Sequence, residues 1–140
     1  ESPAVIRARL QVFPMGCVVL QETGSDIDIA KILGYLTAEK WERVREPALD
    51  EDPRLTHQPT GTILNITTLA IAPAQQQRGL GAHLLAHAIT LAKQEQCTEI
   101  VLETAGAERF YRRHGFIKIG ERFQRNILLH IMSYIMSNDV

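Results

Sequence analysis

The chain has 140 residues, of which 45% are hydrophobic and 22% are charged, and its formal net charge is −1. A chain of this length and composition is expected to fold as one globular domain with its own core. It contains neither a basic stripe, which is typical of a nucleic-acid binder, nor an apolar run close to the roughly 20 residues of a membrane span, so neither class of protein is expected.

The first half of the chain predicts one helix, three strands and one long loop. Apolar residues at helical spacing after Ser2-Pro3 predict the helix. Short apolar or β-branched runs predict the strands, of which the first two form an antiparallel pair joined by the turn signal at residues 23–26. A loop this long in a compact domain is usually functional or mobile. The predicted elements are a helix over residues 4–13, strands over 17–21, 31–41 and 62–72, and a loop over 42–59 that holds at most a helical turn.

The second half predicts two helices and three strands. An apolar stripe at helical spacing predicts the longer helix, and Gly115 ends the shorter one. The predicted elements are helices over residues 79–94 and 107–114 and strands over 99–103, 116–119 and 127–136, the last two strands being joined around 120–126. This order predicts a single α/β domain over residues 1–140, with a strand–glycine loop–helix–strand unit near its centre.

The glycine loop is the first candidate site. A strand ends before Pro73, and the next helix opens on Gly79-Leu80-Gly81, preceded by Arg78. The first N–H groups of a helix have no internal partner and attract anions, and glycine lets a phosphate approach the backbone closely. A dinucleotide motif would need glycine at position 84, which is Leu84, and no P-loop motif is present. Taken alone, the glycines indicate either an anion site or merely a tight turn.

Two motifs together resemble the GNAT acetyltransferases. Gln76-x-x-Gly79-x-Gly81, after a strand that ends at residues 69–73, resembles the family's acetyl-CoA-binding motif, and residues 103–116 resemble its next motif. The likeness covers about residues 62–120. It implies an α/β fold with a central mixed, mostly antiparallel sheet, a splayed parallel pair and flanking helices. The family's first strand and helix would be missing here, which would leave the strand at Cys17–Gln21 on an edge of the sheet.

The resemblance is narrower still over residues 34–41 and 65–71, which look like the arylalkylamine (serotonin) N-acetyltransferase branch. It implies acetyl-CoA as the cofactor. Backbone groups of the third predicted strand would pair with the pantetheine arm, and backbone N–H groups from Gln77 to Ala82 would hold the pyrophosphate. The cofactor-binding residues that this implies are Leu69, Ala70, Ile71, Gln76, Gln77, Arg78, Gly79, Leu80, Gly81 and Ala82.

The resemblance also implies catalytic residues. Tyr111 stands where the family has a tyrosine that protonates the departing CoA sulfur, although it could instead be an aromatic packed in the core. Asn65 and Thr67, on one face of their strand, stand where the branch has two histidines. Because neither titrates near neutral pH, we expect them to orient water, with deprotonation passing to Glu103. Glu39 and His57 are two further candidates for accepting this proton through water.

Several other side chains leave alternatives open. His83 and His87 have a spacing that can bind zinc, but no third ligand is evident, so they are interpreted as solvated helix residues and no metal is expected. Trp41, Tyr35 and Phe13 could line an amine pocket or pack in the sheet. Cys17 and Cys97 lack a CxxC spacing, and two free thiols are typical of a reducing cytoplasm.

These observations predict an N-acetyltransferase that acts by direct attack in a ternary complex. The expected acceptor is a small primary amine of the arylalkylamine or polyamine type, because the loop at 42–59 carries five acidic residues against three arginines. The alternatives are acetylation of a protein N-terminus or lysine, and a non-catalytic acyl-CoA-binding sensor. No nucleic-acid or membrane partner is expected, and the protein is expected to be a cytoplasmic monomer or homodimer.

Overall fold

The computed structural model describes residues 1–22 and 31–137, so the turn signal at 23–26 lies outside the described residues. Within this part the predicted elements form close to their expected positions, and no helix is long and apolar enough to span a bilayer. The helices are α1 Pro3–Val12, α2 Pro53–Thr56, α3 Leu80–Gln94 and α4 Glu108–Arg113. The strands are β1 Cys17–Gln21, β2 Ile32–Trp41, β3 Ile63–Ile71, β4 Glu99–Thr104, β5 Ile117–Gln124 and β6 Ile127–Ile135.

The described strands form one sheet in the order β1-β2-β3-β4-β6-β5. Neighbouring strands are antiparallel except β3 and β4, which run parallel and pair only at their start, where residues 63–65 face 99–101. Beyond Asn65, β3 pairs with β2 alone, so β3 and β4 open a gap. This confirms the predicted mixed, mostly antiparallel sheet with a splayed parallel pair, and β1 lies at an edge of the described sheet.

A bulge in β3 lies beside this gap. Thr37 pairs with Thr68 while the next residue of β2, Ala38, pairs with Ile66, so Thr67 is an extra residue in β3. A bulge re-aims the side chains around it and is common next to functional sites. Here it brings the hydroxyls of both Thr67 and Thr68 to the face of the sheet that carries the Thr37 hydroxyl.

The main core lies between α3 and one face of the sheet. The apolar stripe of α3 is buried along its length, as its helical spacing requires, and it meets alternate residues of the central strands. The packed residues include Leu36, Leu64, Ile66, Leu84, Leu85, Ala88, Leu91, Ala92, Ile100, Leu102 and Met132. The opposite face carries a small cluster of Trp41, Ile63 and Val101 and is only partly covered, which leaves room for a site.

The hairpin at the end of the chain differs from the prediction. The expected strand over 116–119 and connection over 120–126 are wrong, because β5 continues to Gln124 and the connection is Arg125-Asn126 alone. Both residues have positive φ, 49° and 64°, as two-residue hairpin turns require. Gly120 and the polar residues after it resemble a turn in sequence, but they alternate between half-buried and exposed positions along β5.

Candidate active site

A cavity of about 370 Å³ opens on the face of the sheet away from α3. It lies over the point where β3 and β4 separate, and α1 and the loop before α2 form its other walls. Side chains from six elements and that loop therefore meet around one volume. The lining residues are Glu1, Val5, Arg9, Glu39, residues 47–51, Asn65, Ile66, Thr67, Glu103, Arg122, Gln124 and Leu129.

Both polar residues predicted on the third strand line this cavity. Asn65 is buried and stands opposite Glu39 in the register of β2 and β3. Thr67, the bulged residue, places its Oγ1 2.7 Å from Thr37 Oγ1. The structure thus brings Asn65 and Thr67 together with two carboxylates, Glu39 and Glu103.

Glu103 is held in an ion pair. Its Oε2 accepts from Arg122 Nε at 2.5 Å and its Oε1 from Arg122 Nη2 at 2.8 Å, and the same Nη2 donates to the Pro47 carbonyl at 3.0 Å. The hydrogen bonds to Glu103 raise the pKa of Arg122. Because both oxygens of Glu103 are occupied, the pair fixes the loop wall at Pro47, and a proton relay through Glu103 would have to break it.

Glu39 is the other carboxylate beside Asn65. It is buried, and its Oε1 accepts from Trp41 Nε1 at 2.9 Å. Its Oε2 accepts from Thr56 Oγ1 at 2.7 Å and lies 3.4 Å from Arg9 Nη1. Donors around a buried carboxylate compensate its loss of water, so these three hydrogen bonds hold Glu39 in the cavity wall.

His57, the third group considered for deprotonation, lies outside the cavity lining. Its Nδ1 accepts from the Lys40 backbone N–H at 3.0 Å, and its ring stacks on Phe13 with 4.8 Å between centroids. Burial lowers the pKa of His57. The ring is therefore a neutral packing group that ties the end of α2 to β2.

The three aromatic residues considered for the amine pocket also lie outside the cavity lining. Trp41 is only 2% exposed and packs under the Arg45 guanidinium, 4.4 Å from its ring. Phe13 is part of the main core. Tyr35 is half-buried on β2, opposite Ala70. Trp41 and Phe13 are therefore packing residues.

The sequence reasoning missed several polar residues around the cavity, among them Glu1, Arg9, Thr37, Thr68 and Arg122. The position of Arg9 could have been noticed in the sequence, because it is a charged residue at helical spacing among the apolar residues of α1. The two threonines and Arg122 are polar residues of strands, and nothing in the sequence distinguishes them from solvated ones. Their roles depend on the bulge in β3 and on the length of β5.

The free edge of β3 faces the gap. The Ala72 N–H donates to the Leu33 carbonyl of β2 at 2.8 Å. Since backbone groups alternate along a strand, the N–H and C=O groups of Leu69 and Ile71 point the other way, into the gap, and those of Ala70 point to β2. Gln76 Nε2 donates a hydrogen bond to the Ile71 carbonyl at 3.4 Å. Backbone donors and acceptors are thus available along the gap.

The start of α3 offers a second set of donors. Gly79 is the N-cap with φ +75° and no side-chain cap, and the helix bonding begins with the His83 N–H donating to the Gly79 carbonyl at 3.3 Å. The N–H groups of residues 80–82 precede that bond and point outward. Gln77 also has positive φ, 68°, and Arg78 donates to the buried Gln75 side chain. Successive N–H groups in such a turn form a concave anion site.

Gly81 is required for a different reason. A Cβ at this position would lie 3.3 Å from Phe110 Cζ and 4.0 Å from Leu69 Cδ2. The start of α3 therefore sits close to both β3 and α4, as glycine permits. Leu80 and Ala82, which flank Gly81, are half-buried, whereas His83 and His87 are exposed on the helix.

Tyr111 of α4 is buried and meets Phe110 edge-on at 5.1 Å and Phe116 at 5.5 Å. Burial raises its pKa to about 12. The phenol therefore remains protonated at any physiological pH and can donate a hydrogen bond but cannot act as a base. Its ring belongs to the main core.

Residues 4–116 match the sequence profile described as "Acetyltransferase (GNAT) family". No protein of curated function matches the sequence. Among solved structures, the chain is similar to Ard1 from Thermoplasma volcanium, with 17% identity, a TM-score of 0.74, and coverage of 99% of this chain and 82% of that one.

Two further structures share the fold. The NatC complex bound to Gag peptide and CoA has 18% identity, a TM-score of 0.71, and coverage of 98% of this chain and 81% of that one. The GphF GNAT-like decarboxylase in complex with isobutyryl-CoA has 18% identity, a TM-score of 0.77, and coverage of 98% and 86%. At such low sequence identities, the similarity to these three structures shows a shared fold and nothing further.

Proposed function

Because the chain belongs to the GNAT acetyltransferase family, we propose that it acetylates a primary amine of a small, cationic molecule bound in the cavity. The chain is an acyl-CoA-dependent acetyltransferase that works with acetyl-CoA, which supplies the acetyl group as a thioester. The substrate class and the residues that act on it are the proposal.

The observation that carries the proposal is the charge of the cavity. Five carboxylates line it, against two guanidinium groups. Arg45 compensates Glu51 from outside the lining, whereas Arg9 is shared between Glu1 at 2.7 Å and Glu39 at 3.4 Å. The cavity therefore carries excess negative charge, which attracts a protonated amine and raises its local concentration. The carboxylates are Glu1, Glu39, Asp50, Glu51 and Glu103.

The cofactor would lie in the gap between β3 and β4. The backbone groups of Leu69 and Ile71, on either side of Ala70, would bind the pantetheine arm as an added strand does. The N–H groups of residues 77–82 would hold the pyrophosphate, with Gln76 and Arg78 beside it. The supporting observations are the missing strand pairing beyond Asn65 and the uncapped start of α3.

In the chemical step the amine nitrogen would bond to the acetyl carbon and lose a proton, the C–S bond would break, and the thiolate would take up a proton. The amine must first lose its extra proton, which water held by Asn65 and Thr67 would carry to solvent. A gap-facing backbone N–H would stabilise the developing oxyanion. Tyr111 would donate the proton or a hydrogen bond to the sulfur, as a phenol that stays protonated can. Glu103 would hold Arg122 and the loop wall rather than move a proton.

Within small amines, the lining favours aliphatic acceptors. The described lining residues include no aromatic side chain, and Trp41, Tyr35 and Phe13 lie elsewhere. An arylalkylamine acceptor therefore has less support than a polyamine or another aliphatic amine. A peptide N-terminus remains the competing acceptor, since NatC, to which the fold is similar, was solved with a peptide.

The test is a calorimetric titration with acetyl-CoA followed by a thiol-release assay on aliphatic amines, arylalkylamines, polyamines and short peptides. Turnover of small aliphatic amines is expected. Turnover of peptides alone would contradict the proposal, as would acetyl-CoA binding without turnover of any amine.

A matched pair of variants tests the charge argument. Asp50 lines the cavity with φ 59°, a conformation that Asn also adopts readily. Asp50→Asn is expected to raise the KM for the amine about threefold to tenfold through the lost charge and to leave acetyl-CoA affinity unchanged. Glu42→Gln, exposed in the same loop but outside the lining, is expected to change neither. Equal effects of both variants would mean that the cavity charge does not select the acceptor.

A further inference from the structure

The cavity already contains one bound carboxylate, the side chain of Glu1. Its Oε1 accepts from Thr37 Oγ1 at 2.9 Å and from Thr68 Oγ1 at 3.0 Å, and its Oε2 accepts from Arg9 Nε at 2.7 Å. Burial alone would raise the pKa of the Glu1 carboxyl, but the hydrogen bonds from Arg9, Thr37 and Thr68 have the larger combined effect. The pKa of this carboxyl is therefore lowered, and the group stays ionised. We call Arg9, Thr37 and Thr68 the carboxylate cradle.

The hydrogen bonds of the cradle have a defined direction. A hydroxyl has one proton to donate and can accept from others. Because Thr37 donates to Glu1, the short contact of 2.7 Å between Thr37 and Thr67 requires Thr67 to donate to Thr37. The oxygen of Thr67 is then left as an acceptor at the cavity surface, where an incoming ammonium group can donate to it.

The residues of the cradle are held by the surrounding fold. Thr37 and Arg9 are buried, and the bulge in β3 fixes Thr68. Glu1 lies before the N-cap of α1, and its side chain, 16% exposed, is anchored by the carboxylate hydrogen bonds. If this side chain moved out, Arg9 would keep only its 3.4 Å contact with Glu39. A buried guanidinium without a good partner is costly, so the emptied cradle would favour another carboxylate.

We propose that the carboxylate cradle binds a carboxylate of the acceptor, that Glu1 occupies it while no acceptor is bound, and that the acceptor is a small aliphatic amino acid. This inference rests on the proposed acetylation of an amine and narrows its substrate class. The exchange of one carboxylate for another leaves the charge of the cradle unchanged. The ammonium group of the same molecule adds the positive charge that Glu39 and Asp50 attract.

The position of the cradle limits the size of the acceptor. Thr68 directly precedes Leu69, whose backbone faces the gap where the thioester would lie, and one strand residue spans about 3.3 Å. The acceptor's carboxylate and amine are therefore separated by only a few bonds, as in α- to γ-amino acids. A long peptide or a diamine has no carboxylate at this distance from its amine, so Glu1 would remain in the cradle.

Thiol release from acetyl-CoA is measured with pairs that differ only in a carboxyl group: β-alanine with ethylamine, γ-aminobutyrate with propylamine, and lysine with cadaverine. The acid is expected to exceed its partner about tenfold in kcat/KM, through a charge-assisted contact with Arg9. Turnover of the amines with equal or slower turnover of the acids overturns this inference alone. No turnover of either series overturns the proposed function itself.

Variants of the cradle supply a second readout. Thr68→Val removes a donor without changing shape and is expected to raise the KM for β-alanine about fivefold to tenfold, more than it raises the KM for ethylamine, so that the preference for the acid falls. Thr68→Ser, which keeps the hydroxyl, is expected to keep the preference. Glu1→Gln, which weakens the competing occupant, is expected to lower the KM for β-alanine. Equal losses on acid and amine in Thr68→Val, or a higher KM for β-alanine in Glu1→Gln, would overturn the proposal.

Discussion

At the scale of single residues, surroundings decide what each titratable group can do. Glu103 and Glu39 line the same cavity, but Glu103 gives both oxygens to one arginine, whereas Glu39 is held by three different side chains. Tyr111 is kept protonated by burial alone, since its pKa rises to about 12. Identical carboxyl groups thus receive different roles, and a phenol becomes a fixed donor.

Replacing Tyr111 tests the donor role. Tyr111→Phe keeps the ring packing and is expected to lower kcat about tenfold to a hundredfold by removing the donor, with little change in acetyl-CoA affinity. Steady-state thiol release and calorimetry measure the two quantities.

Tyr134→Phe is the matched control, because Tyr134 is a half-buried tyrosine whose ring also contacts Phe116, at 5.3 Å. It is expected to leave kcat unchanged. The wild-type rate is expected to show no loss from ionisation of Tyr111 until the pH approaches 12. An unchanged kcat in Tyr111→Phe would assign this residue to packing alone.

At the scale of elements, the site is made where regular structure stops. β3 loses its parallel neighbour after Asn65, a bulge follows at Thr67, and α3 begins on an uncapped glycine. Each interruption leaves backbone groups without a partner in the sheet or helix, and such groups are ready to bind a ligand. The two glycines act differently: Gly79 provides the positive φ, and Gly81 provides the close approach to Phe110.

Alanine at position 79 tests the turn. A left-handed backbone costs a residue with a Cβ about 1–2 kcal/mol, so Gly79→Ala is expected to lower the melting temperature by several degrees. It is also expected to weaken acetyl-CoA binding about threefold to tenfold, because the N–H groups at the start of α3 shift.

Gly106→Ala is the control. Gly106 has open space around its missing Cβ and no positive φ, so neither quantity is expected to change. Gly79→Ala with normal acetyl-CoA affinity would place the pyrophosphate elsewhere.

At the scale of the whole molecule, the sheet separates a packed face from an open one. α3 covers the first face, and the second is closed by α1 and by the loop before α2. Contacts that hold this loop and α2 in place include Arg122 with the Pro47 carbonyl, Arg45 with Glu51, and His57 with the Lys40 backbone. The His57 contact joins the end of α2 to the core through Phe13.

The pH dependence of stability tests the His57 contact. Its folded pKa lies below the ordinary value of 6.5, chiefly through burial. Below about pH 6.5 the unfolded chain therefore binds more protons than the folded one, so the free energy of unfolding falls as pH falls towards the lowered pKa. Urea unfolding at pH ~7.5 and ~5.5 measures this loss.

His57→Asn keeps an acceptor for the Lys40 N–H and removes the titration. It is expected to be less stable than the wild type at the higher pH and to lose less stability between the two values. An equal loss in both proteins would mean that other groups govern this range.

Much of the architecture could be predicted from local sequence. The α3 stripe, the β-branched run of β3 and the breaks at Pro73 and Gly115 set the elements, because helix and strand periodicities are local properties. The glycine motif with residues 103–116 indicated the family, which residues 4–116 confirm. Asn65 and Thr67 were expected on one face, and strand alternation places them there. The hairpin was mispredicted because turn-like residues from Gly120 onward are also compatible with a half-exposed edge strand.

Only the tertiary structure decided which side chains meet in the cavity. Arg9, Thr37, Thr68 and Arg122 come from four different elements, and no local pattern records that a bulge and a splayed strand pair bring them to one volume. The partners of Glu103 and the packing of Trp41 depend in the same way on contacts between distant segments. The sequence by itself therefore determined most of the elements and indicated the family, while long-range packing decided which side chains line the cavity and which charges it carries.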